Sequence, residues 1–157
     1  NAPPNTGITM ADQWRLTADL TGTNAIISSN LERVDDASFA KIGTGMTESS
    51  GVFSFPVTGL YQVITKMAGI FDGPDNGYLQ AWVTQDNSSY DHVGSAGSSQ
   101  DNTYQNDASV INFVNVTNIS NVKIRFATLS MNTNSGLIGS SVQNTTCFTF
   151  IRMGDSQ

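Results

Sequence analysis

The chain has 157 residues, of which 13% are charged, and a formal net charge of −6. A chain of this length forms one domain and buries enough surface to fold without disulfides or a metal. Its 7 lysines and arginines are scattered, which argues against a nucleic-acid partner because neutralising phosphates takes several clustered cations. No apolar run approaches the roughly 18 residues of a membrane-spanning helix, so no membrane insertion is expected.

The start of the chain predicts a tether rather than part of the core. Residues 1–9 are interpreted as an N-terminal linker or arm, because Pro3 and Pro4 favour extended geometry and Gly7 frees the backbone. We expect residues 10–157 to form a single domain. Its only cysteine, Cys147, cannot form an intrachain disulfide, and a buried free thiol is the expected state.

Short apolar segments separated by Gly, Asn, Asp and Ser predict about eight to ten strands and no helix. The first predicted strands are 14–20 and 39–43, and residues 25–34 are either a second strand or an irregular crossing. A strand, a Pro-Val-Thr-Gly turn and another strand are predicted as a hairpin over 51–63, with the last strand continuing to Phe71.

In the second half, the Asn76-Gly77 pair predicts a hairpin turn, because both residue types accept positive φ. Residues 85–107 are rich in polar and small residues, which predicts long surface loops around one weak strand at 90–93. The remaining predicted strands are 78–84, 109–116, 122–129, 137–142 and 147–153. Many short strands with regular turns indicate an antiparallel sandwich or jelly roll.

Three parts of the chain resemble the C1q/TNF-like jelly rolls. Residues 51–61 match the family pattern G-x-F-x-x-P-x-x-G-x-Y. The later segments 108–113 and 121–126 are similar to two paired strands of the family, and 147–151 is similar to its closing strand. The chain departs from the family by having Ser120-Asn121 in place of Gly-Asp, and Thr149 in place of Gly. The resemblance implies an all-β, antiparallel jelly-roll sandwich that assembles as a homotrimer.

The same resemblance implies which side chains face neighbouring subunits. In the family, the strand after Gly59 sends Tyr61 and Val63 into the sandwich, so alternate residues of this strand and of the last strand face outward. Apolar side chains at such positions are what an obligate interface needs. The alternative is that both faces pack within one protomer. The implied trimer-interface residues are Leu60, Gln62, Ile64, Cys147 and Ile151.

Earlier segments resemble marine bacteriophage structural proteins with C1q-like tips. These segments are 10–17, 29–35 and 42–51. The likeness implies a virion surface protein, made in the host cytoplasm, that forms a knob on the capsid or tail. As a decoration protein or a tail-fibre tip for host attachment, it would contact other virion proteins through its N-terminal arm. The alternative is a secreted C1q-like ligand or carbohydrate-binding module of cellular origin.

Polar and aromatic residues of the predicted loops are the candidates for receptor binding. Aromatic rings stack on sugar faces, and Asn side chains hydrogen-bond hydroxyls, so a host surface glycan or receptor is the expected partner. Solvated side chains are the alternative interpretation. The candidate residues are Tyr90, His92, Tyr104, Asn132 and Asn134.

The sequence gives little support to catalysis or to a cofactor. His92 is the only histidine, and the chain has no Gly-x-Ser-x-Gly elbow, so a hydrolase triad is not expected. Its paired carboxylates lie beside Gly, Asn or Ser, where Asp usually caps turns. Asp72 and Asp75 are a weak candidate cation site without the D-x-D-x-D-G spacing. We expect no cofactor, although the family resemblance admits calcium, which some C1q-like trimers hold near their axis.

Overall fold

A computed structural model of the protein describes residues 7–100 and 104–157. In this part of the chain the regular elements are all β-strands. In chain order they are β1 (Ala11–Leu16), β2 (Leu20–Thr21), β3 (Leu31–Arg33), β4 (Thr47–Ser49), β5 (Val52–Ser54), β6 (Gly59–Phe71), β7 (Asp75–Thr84), β8 (Tyr90–Gln100), β9 (Tyr104–Val116), β10 (Lys123–Leu129), β11 (Gly136–Leu137) and β12 (Cys147–Gly154).

These strands form two antiparallel sheets. Sheet A is built around β6, which pairs with β9 along its whole length and with β12 and then β11 on its other edge. Strands β1 and β3 follow β12, and β2 follows β11. Sheet B has the order β4-β5-β10-β7-β8. The expected all-β jelly-roll sandwich is therefore confirmed.

The core lies between the two sheets and is rich in aromatic rings. Strand β6 alternates along its first half, with Tyr61 and Val63 fully buried. Phe148 comes from sheet A and stacks on Phe126 of sheet B, with ring centroids 4.0 Å apart. Phe53 lies edge-on to Phe126 at 5.6 Å. Because each buried aromatic removes a large apolar area from water, this cluster fixes the two sheets against each other.

The strands on either side of the Pro-Val-Thr-Gly turn do not pair. Strand β5 pairs with β4 and β10 in sheet B, whereas β6 lies in sheet A. The predicted hairpin is therefore wrong, although the predicted strand positions agree with the structure. The crossing lets Phe55 and Tyr61 meet inside the sandwich, with ring centroids 4.7 Å apart. Burial of both rings therefore favours a crossing over local pairing.

The Asn76-Gly77 hairpin is also wrong, because both residues lie inside β7. The backbone instead turns at Gly73, which has a φ of 71°. At Gly77 an added Cβ would lie 2.7 Å from the Phe71 ring. The glycine is thus explained by close packing rather than by a turn.

The predicted loops of 85–107 are mostly strand. Strand β8 pairs with β7 from Asp75 to Thr84, with one irregularity after Ala81. Its Gly and Ser content argued against a strand, but small residues are needed where β7 side chains cross them. An added Cβ at Gly97 would lie 2.4 Å from the Tyr78 ring. Tertiary packing therefore overrides local propensity here.

Three further boundaries differ from the predictions. The first strand lies at Ala11–Leu16 rather than 14–20. The strand predicted at 39–43 is reduced to a single bridge between Ala11 and Ile42. The strand predicted at 137–142 is the two-residue Gly136–Leu137. Each of these segments lies near the edge of a sheet, where polar sequence gives weak boundary signals.

Candidate assembly face

The outward-facing side chains of β12, β6 and β9 form a largely apolar surface on sheet A. Ile64 pairs with Ile111, and Gln62 pairs with Phe113 on β9 and with Ile151 on β12. Directly opposed residues project to the same side of an antiparallel sheet, so these five share the face away from the core. We call this surface the assembly face; its members are Leu60, Gln62, Ile64, Ile111, Phe113, Thr149 and Ile151.

The assembly face leaves large hydrophobic groups in contact with solvent. Phe113 is 66% exposed and Ile111 is 54% exposed. Leu60, Ile64 and Ile151 are half-buried, so they are not enclosed within the protomer. A contiguous exposed apolar surface is typical of a protein-protein interface. The face can therefore bind a complementary apolar surface.

Sequence reasoning found one half of this face and missed the other. It identified the outward residues of β6 and β12 but not Ile111 and Phe113 of β9. A signal was present, because the run Val110-Ile111-Asn112-Phe113-Val114 is apolar at both odd and even positions. Strands buried on both faces have such runs. Val114 fills the core, which leaves the two odd-numbered residues for a partner.

Cys147 occupies a different environment from the other predicted interface residues. It opposes Lys66 in the pairing of β12 with β6, but it is only 6% exposed in the single protomer. Burial raises the pKa of its thiol, and the charge of Lys66 only partly opposes this. The expected buried free thiol is confirmed. It behaves as a small hydrophobic group below the assembly face.

A charged pair borders the assembly face towards the C-terminal end of β6 and the N-terminal end of β9. Lys66 Nζ lies 3.1 Å from Asp107 Oδ2, and Gln105 donates a 3.1 Å hydrogen bond to Asp107. These contacts lower the pKa of the Asp107 carboxyl, with the Gln105 hydrogen bond contributing most. The pair lines a cavity of about 390 Å³ that reaches Ile64.

A second charged cluster lies on the same side of sheet A. Arg15 is fully buried and donates to Glu32 at 2.8 Å, to Asp36 at 2.8 Å and to Asp35 at 2.6 Å. It also donates to the backbone carbonyl of Ser141. Burial disfavours the guanidinium charge, but the bonds to Glu32 and Asp36 outweigh it and raise the pKa of Arg15. Arg15 thereby fixes two connecting segments against sheet A.

The predicted cation residues and two predicted loop residues form one cluster. Asn134 Nδ2 donates to Asp72 at 2.8 Å, and the Asn132 backbone N–H donates to Asp75 at 3.0 Å. Burial opposes the ionised form of Asp75, but hydrogen bonds from Ser135, Asn132 and Asn76 lower its pKa. Over residues 7–100 and 104–157, no group of three or more His, Cys, Asp or Glu is placed to hold a metal. The carboxylates connect the start of β7 to the loop before β11.

Tyr90 and His92 lie on the outer face of sheet B, on β8 and not in a loop. The His92 ring lies 5.2 Å from that of Trp82 at an angle of 30°. The guanidinium of Arg125 sits 3.7 Å above the Tyr90 ring. Tyr104 begins β9 opposite Phe71, at the end that carries Asp72. The five predicted receptor residues are therefore divided between two places.

Ala11, which follows the predicted arm, and the 132–134 loop lie at opposite ends of the sandwich; residues 1–6 of that arm lie outside the described residues. Ala11 opposes Ile151 near the start of β6, whereas the Asp72 cluster follows the end of β6. A strand of 13 residues spans about 40 Å. An assembly joined through the arm would therefore present the loop end to its surroundings.

In the described residues, no helix is long and apolar enough to cross a membrane. No protein-family model matches this sequence, and no curated protein matches it. Solved structures do match the fold. Eiger TNF from S. frugiperda has a TM-score of 0.71 at 10% identity, with 96% of each chain covered.

A crystal structure of murine APRIL at pH 5.0 has a TM-score of 0.69 at 10% identity, covering 92% of this chain and 98% of that one. These similarities extend over almost the whole of all three chains. They establish that the fold of this protein is a TNF-like jelly roll. At 10% identity they establish the fold alone.

Proposed function

We propose that this protein is a homotrimeric, non-enzymatic binding module whose subunits join through the assembly face. The observation that carries the proposal is the exposure of Phe113 and Ile111 beside half-buried Leu60, Ile64 and Ile151. An apolar sheet face in water is costly, and covering it with copies of the same chain removes that cost. The TNF-like fold supports three-fold symmetry as the closed arrangement.

The oligomeric state is tested by sedimentation velocity of the purified chain at micromolar concentration. Three chains of 16.8 kDa give about 50 kDa for the expected species. A single 16.8 kDa species across the micromolar range would contradict the proposal. Because association depends on concentration, the measurement is repeated over a dilution of roughly a hundredfold.

The finer proposal is a knob on the surface of a bacteriophage particle. It is supported by the position of Ala11, which follows the arm, at one end of the sandwich and of the Asn132 loop at the other. The arm would attach the knob to virion proteins, and the trimer would act by adhesion without chemical turnover. Capsid decoration and a host-binding fibre tip are both compatible with this arrangement.

The location is tested with antibodies raised against the folded domain. Gold-labelled antibody should bind particles in electron micrographs, at capsid vertices or faces for a decoration protein and at fibre ends for a host-binding tip. Antigen found only in a cell-secreted fraction without particles would contradict the phage assignment. It would favour the secreted ligand, for which the similarity to Eiger TNF is the supporting observation.

A further inference from the structure

The outer face of sheet B carries a row of side chains that the assembly face does not use. Tyr78, Gln80 and Trp82 project outward from β7, since Leu79, Ala81 and Val83 fill the core. Antiparallel pairing places Arg125 of β10 opposite Trp82. This row faces away from the proposed trimer contact and stays accessible when the assembly face is covered.

A groove runs between this row and the segment that precedes Ile27. Ile26 bridges to Ala127 on β10, so the small side chain of Ala127 forms the floor of the groove between larger side chains. The Ile27 N–H donates to the Phe126 carbonyl at 2.9 Å, and the Thr128 N–H donates to that of Ala25 at 3.0 Å. The backbone therefore holds the groove open without a ligand. The groove residues are Asn24, Ala25, Ile26, Gln80, Trp82, Arg125, Ala127, Thr128 and Leu129.

The size and lining of this groove fit one ring of a small ligand. Its volume is about 230 Å³, below the roughly 300–1,000 Å³ of sites for drug-sized molecules. His92 contacts Trp82 from the β8 side, and the groove lies on the β10 side. Gln80 accepts a 3.2 Å hydrogen bond from Trp82 Nε1, which fixes the indole. The groove thus combines an aromatic ring of fixed orientation with polar side chains.

Arg125 gives the groove its charge preference. Its Nε is buried and has no hydrogen-bond partner in the structure. Among the residues that the structure describes, no carboxylate forms an ion pair with it. Arg125 instead stacks on Tyr90, which orients the planar guanidinium. A fixed guanidinium that forms no ion pair is suited to a carboxylate, which it binds through paired hydrogen bonds.

A second, polar cavity continues along the same face. It has a volume of about 440 Å³, and its lining includes Asn76, Tyr78 and Ser95. Tyr78 and Trp82 are four residues apart on one face of β7, a separation of about 13 Å. Aromatic rings alternating with hydroxyl and amide groups suit a chain of sugar rings better than a peptide, which needs apolar pockets or a free strand edge.

We propose that the outer face of sheet B binds an acidic oligosaccharide. A uronic-acid ring would lie in the groove on Trp82, with its carboxylate on Arg125, and the chain would continue over Tyr78. The inference deepens the adhesive role proposed above by naming the class of ligand. It does not depend on where the protein is located.

The test uses the full chain and two matched probes, an oligogalacturonate tetrasaccharide and the same tetrasaccharide with its carboxyls reduced to alcohols. Isothermal titration calorimetry should show the acidic probe binding roughly tenfold or more tightly than the reduced probe, as expected for one charged hydrogen-bonded pair. Arg125→Gln should abolish that difference. Lys123→Gln is the matched control, because Lys123 projects from the same strand but donates to the Ile119 carbonyl at 2.6 Å, and it should leave the preference unchanged.

Trp82→Ala should remove binding of the acidic probe. Because this variant risks misfolding, the wild-type tryptophan fluorescence is titrated as well, and saturation at the calorimetric affinity is expected. Equal affinity for the two probes, or no binding of either, would overturn the inference. So would an Arg125-dependent preference for a peptide C-terminal carboxylate over the sugar. Sedimentation of the same samples separates the two proposals: a trimer without binding overturns only this inference, and a binding monomer overturns only the assembly.

Discussion

The two exposed sheet faces are built by the same alternation of side chains but differ in chemistry. On sheet A the outward positions of the neighbouring strands are mostly aliphatic, with Phe113 66% exposed. On sheet B the outward rings of Tyr78 and Trp82 alternate with Gln80 and are flanked by Arg125. A continuous apolar face favours permanent cover, whereas separated rings with polar neighbours suit a reversible ligand.

The two faces also differ in the contacts that their exposed side chains already make within the protomer. Trp82 contacts His92, and Arg125 stacks on Tyr90, so sheet B stabilises its own exposed rings. Ile111 has no such shelter, being 54% exposed. Burying apolar area contributes about 25 cal/mol per Å², and this gain is available on sheet A only through a partner.

The largest effect is expected from a charge placed on the assembly face. Phe113→Asp removes an exposed ring from β9. A partner that covers this position would then bury an unpaired carboxylate, which costs on the order of several kcal/mol. We expect the variant to sediment as a monomer at micromolar concentration while keeping its far-UV circular dichroism.

The matched control is Leu129→Asp on sheet B. Leu129 is 44% exposed at the end of β10, so its replacement introduces the same charge on the opposite face. It should leave the sedimentation profile unchanged. If Leu129→Asp dissociates the oligomer and Phe113→Asp does not, the functions assigned to the two faces are reversed.

Asp12→Ala is expected to lower the free energy of unfolding of the protomer. Asp12 is 2% exposed and accepts hydrogen bonds from Arg33 Nε at 2.9 Å, Trp14 Nε1 at 3.0 Å and the Met46 N–H at 2.8 Å. Removing one member of a buried ion pair costs about 3–5 kcal/mol. Urea unfolding should show this loss. Asp155→Ala, which removes an exposed partner of Arg152, should change the free energy of unfolding by less than about 1 kcal/mol.

Cys147 tests whether the outward side of sheet A is closed to solvent beside Lys66. Burial raises the pKa of the thiol above its ordinary value of 9.0, so the reactive thiolate is scarce at neutral pH. A maleimide should label the folded protein far more slowly than the urea-unfolded chain. The folded rate should rise only above the ordinary thiol pKa. Equal rates at pH 7 in the folded and unfolded chains would show that the site is open.

The sequence predicted the deeply buried strands of this fold better than its edges. Strand β6 was predicted from the alternation of Tyr61 and Val63 with Leu60 and Ile64 after the turn. Which of these residues face outward was implied by the resemblance of 51–61 to the C1q/TNF-like pattern. The pairing partner of a strand has no comparable local signal. The sequence therefore predicted a hairpin at the Pro-Val-Thr-Gly turn, where the chain passes between sheets.

The sheet B groove was beyond sequence reasoning for a related reason. Trp82 and Arg125 are 43 positions apart and meet only through the pairing of β7 with β10. The Ile26 wall arises from a single bridge to Ala127, and its segment was predicted as a strand or an irregular crossing. The low strand propensity of β8 also predicted only a weak strand at 90–93 between long loops, which hid the contacts of Tyr90 and His92 with these residues.

The smallest effect concerns the charged pair at the border of the assembly face. The Gln105 hydrogen bond and Lys66 lower the pKa of Asp107 below its ordinary value of 3.8. A carboxyl with a lower pKa in the folded state contributes stability above its unfolded pKa, and that stability is lost as pH falls through the folded value. Asp107→Asn should therefore reduce stability at pH 7 by less than about 1 kcal/mol, since the pair is partly exposed.

At a pH below the folded-state pKa, wild type and Asp107→Asn should have nearly equal free energies of unfolding, as measured by urea titration at each pH. Added salt of about 0.5 M should shrink the difference at pH 7, because exposed charges are screened over a few Å. A difference that persists in acid, or that resists salt, would show that the asparagine acts through packing against Ala108 and Ser109 in the adjacent cavity. The border of the assembly face would then be set by shape rather than by charge.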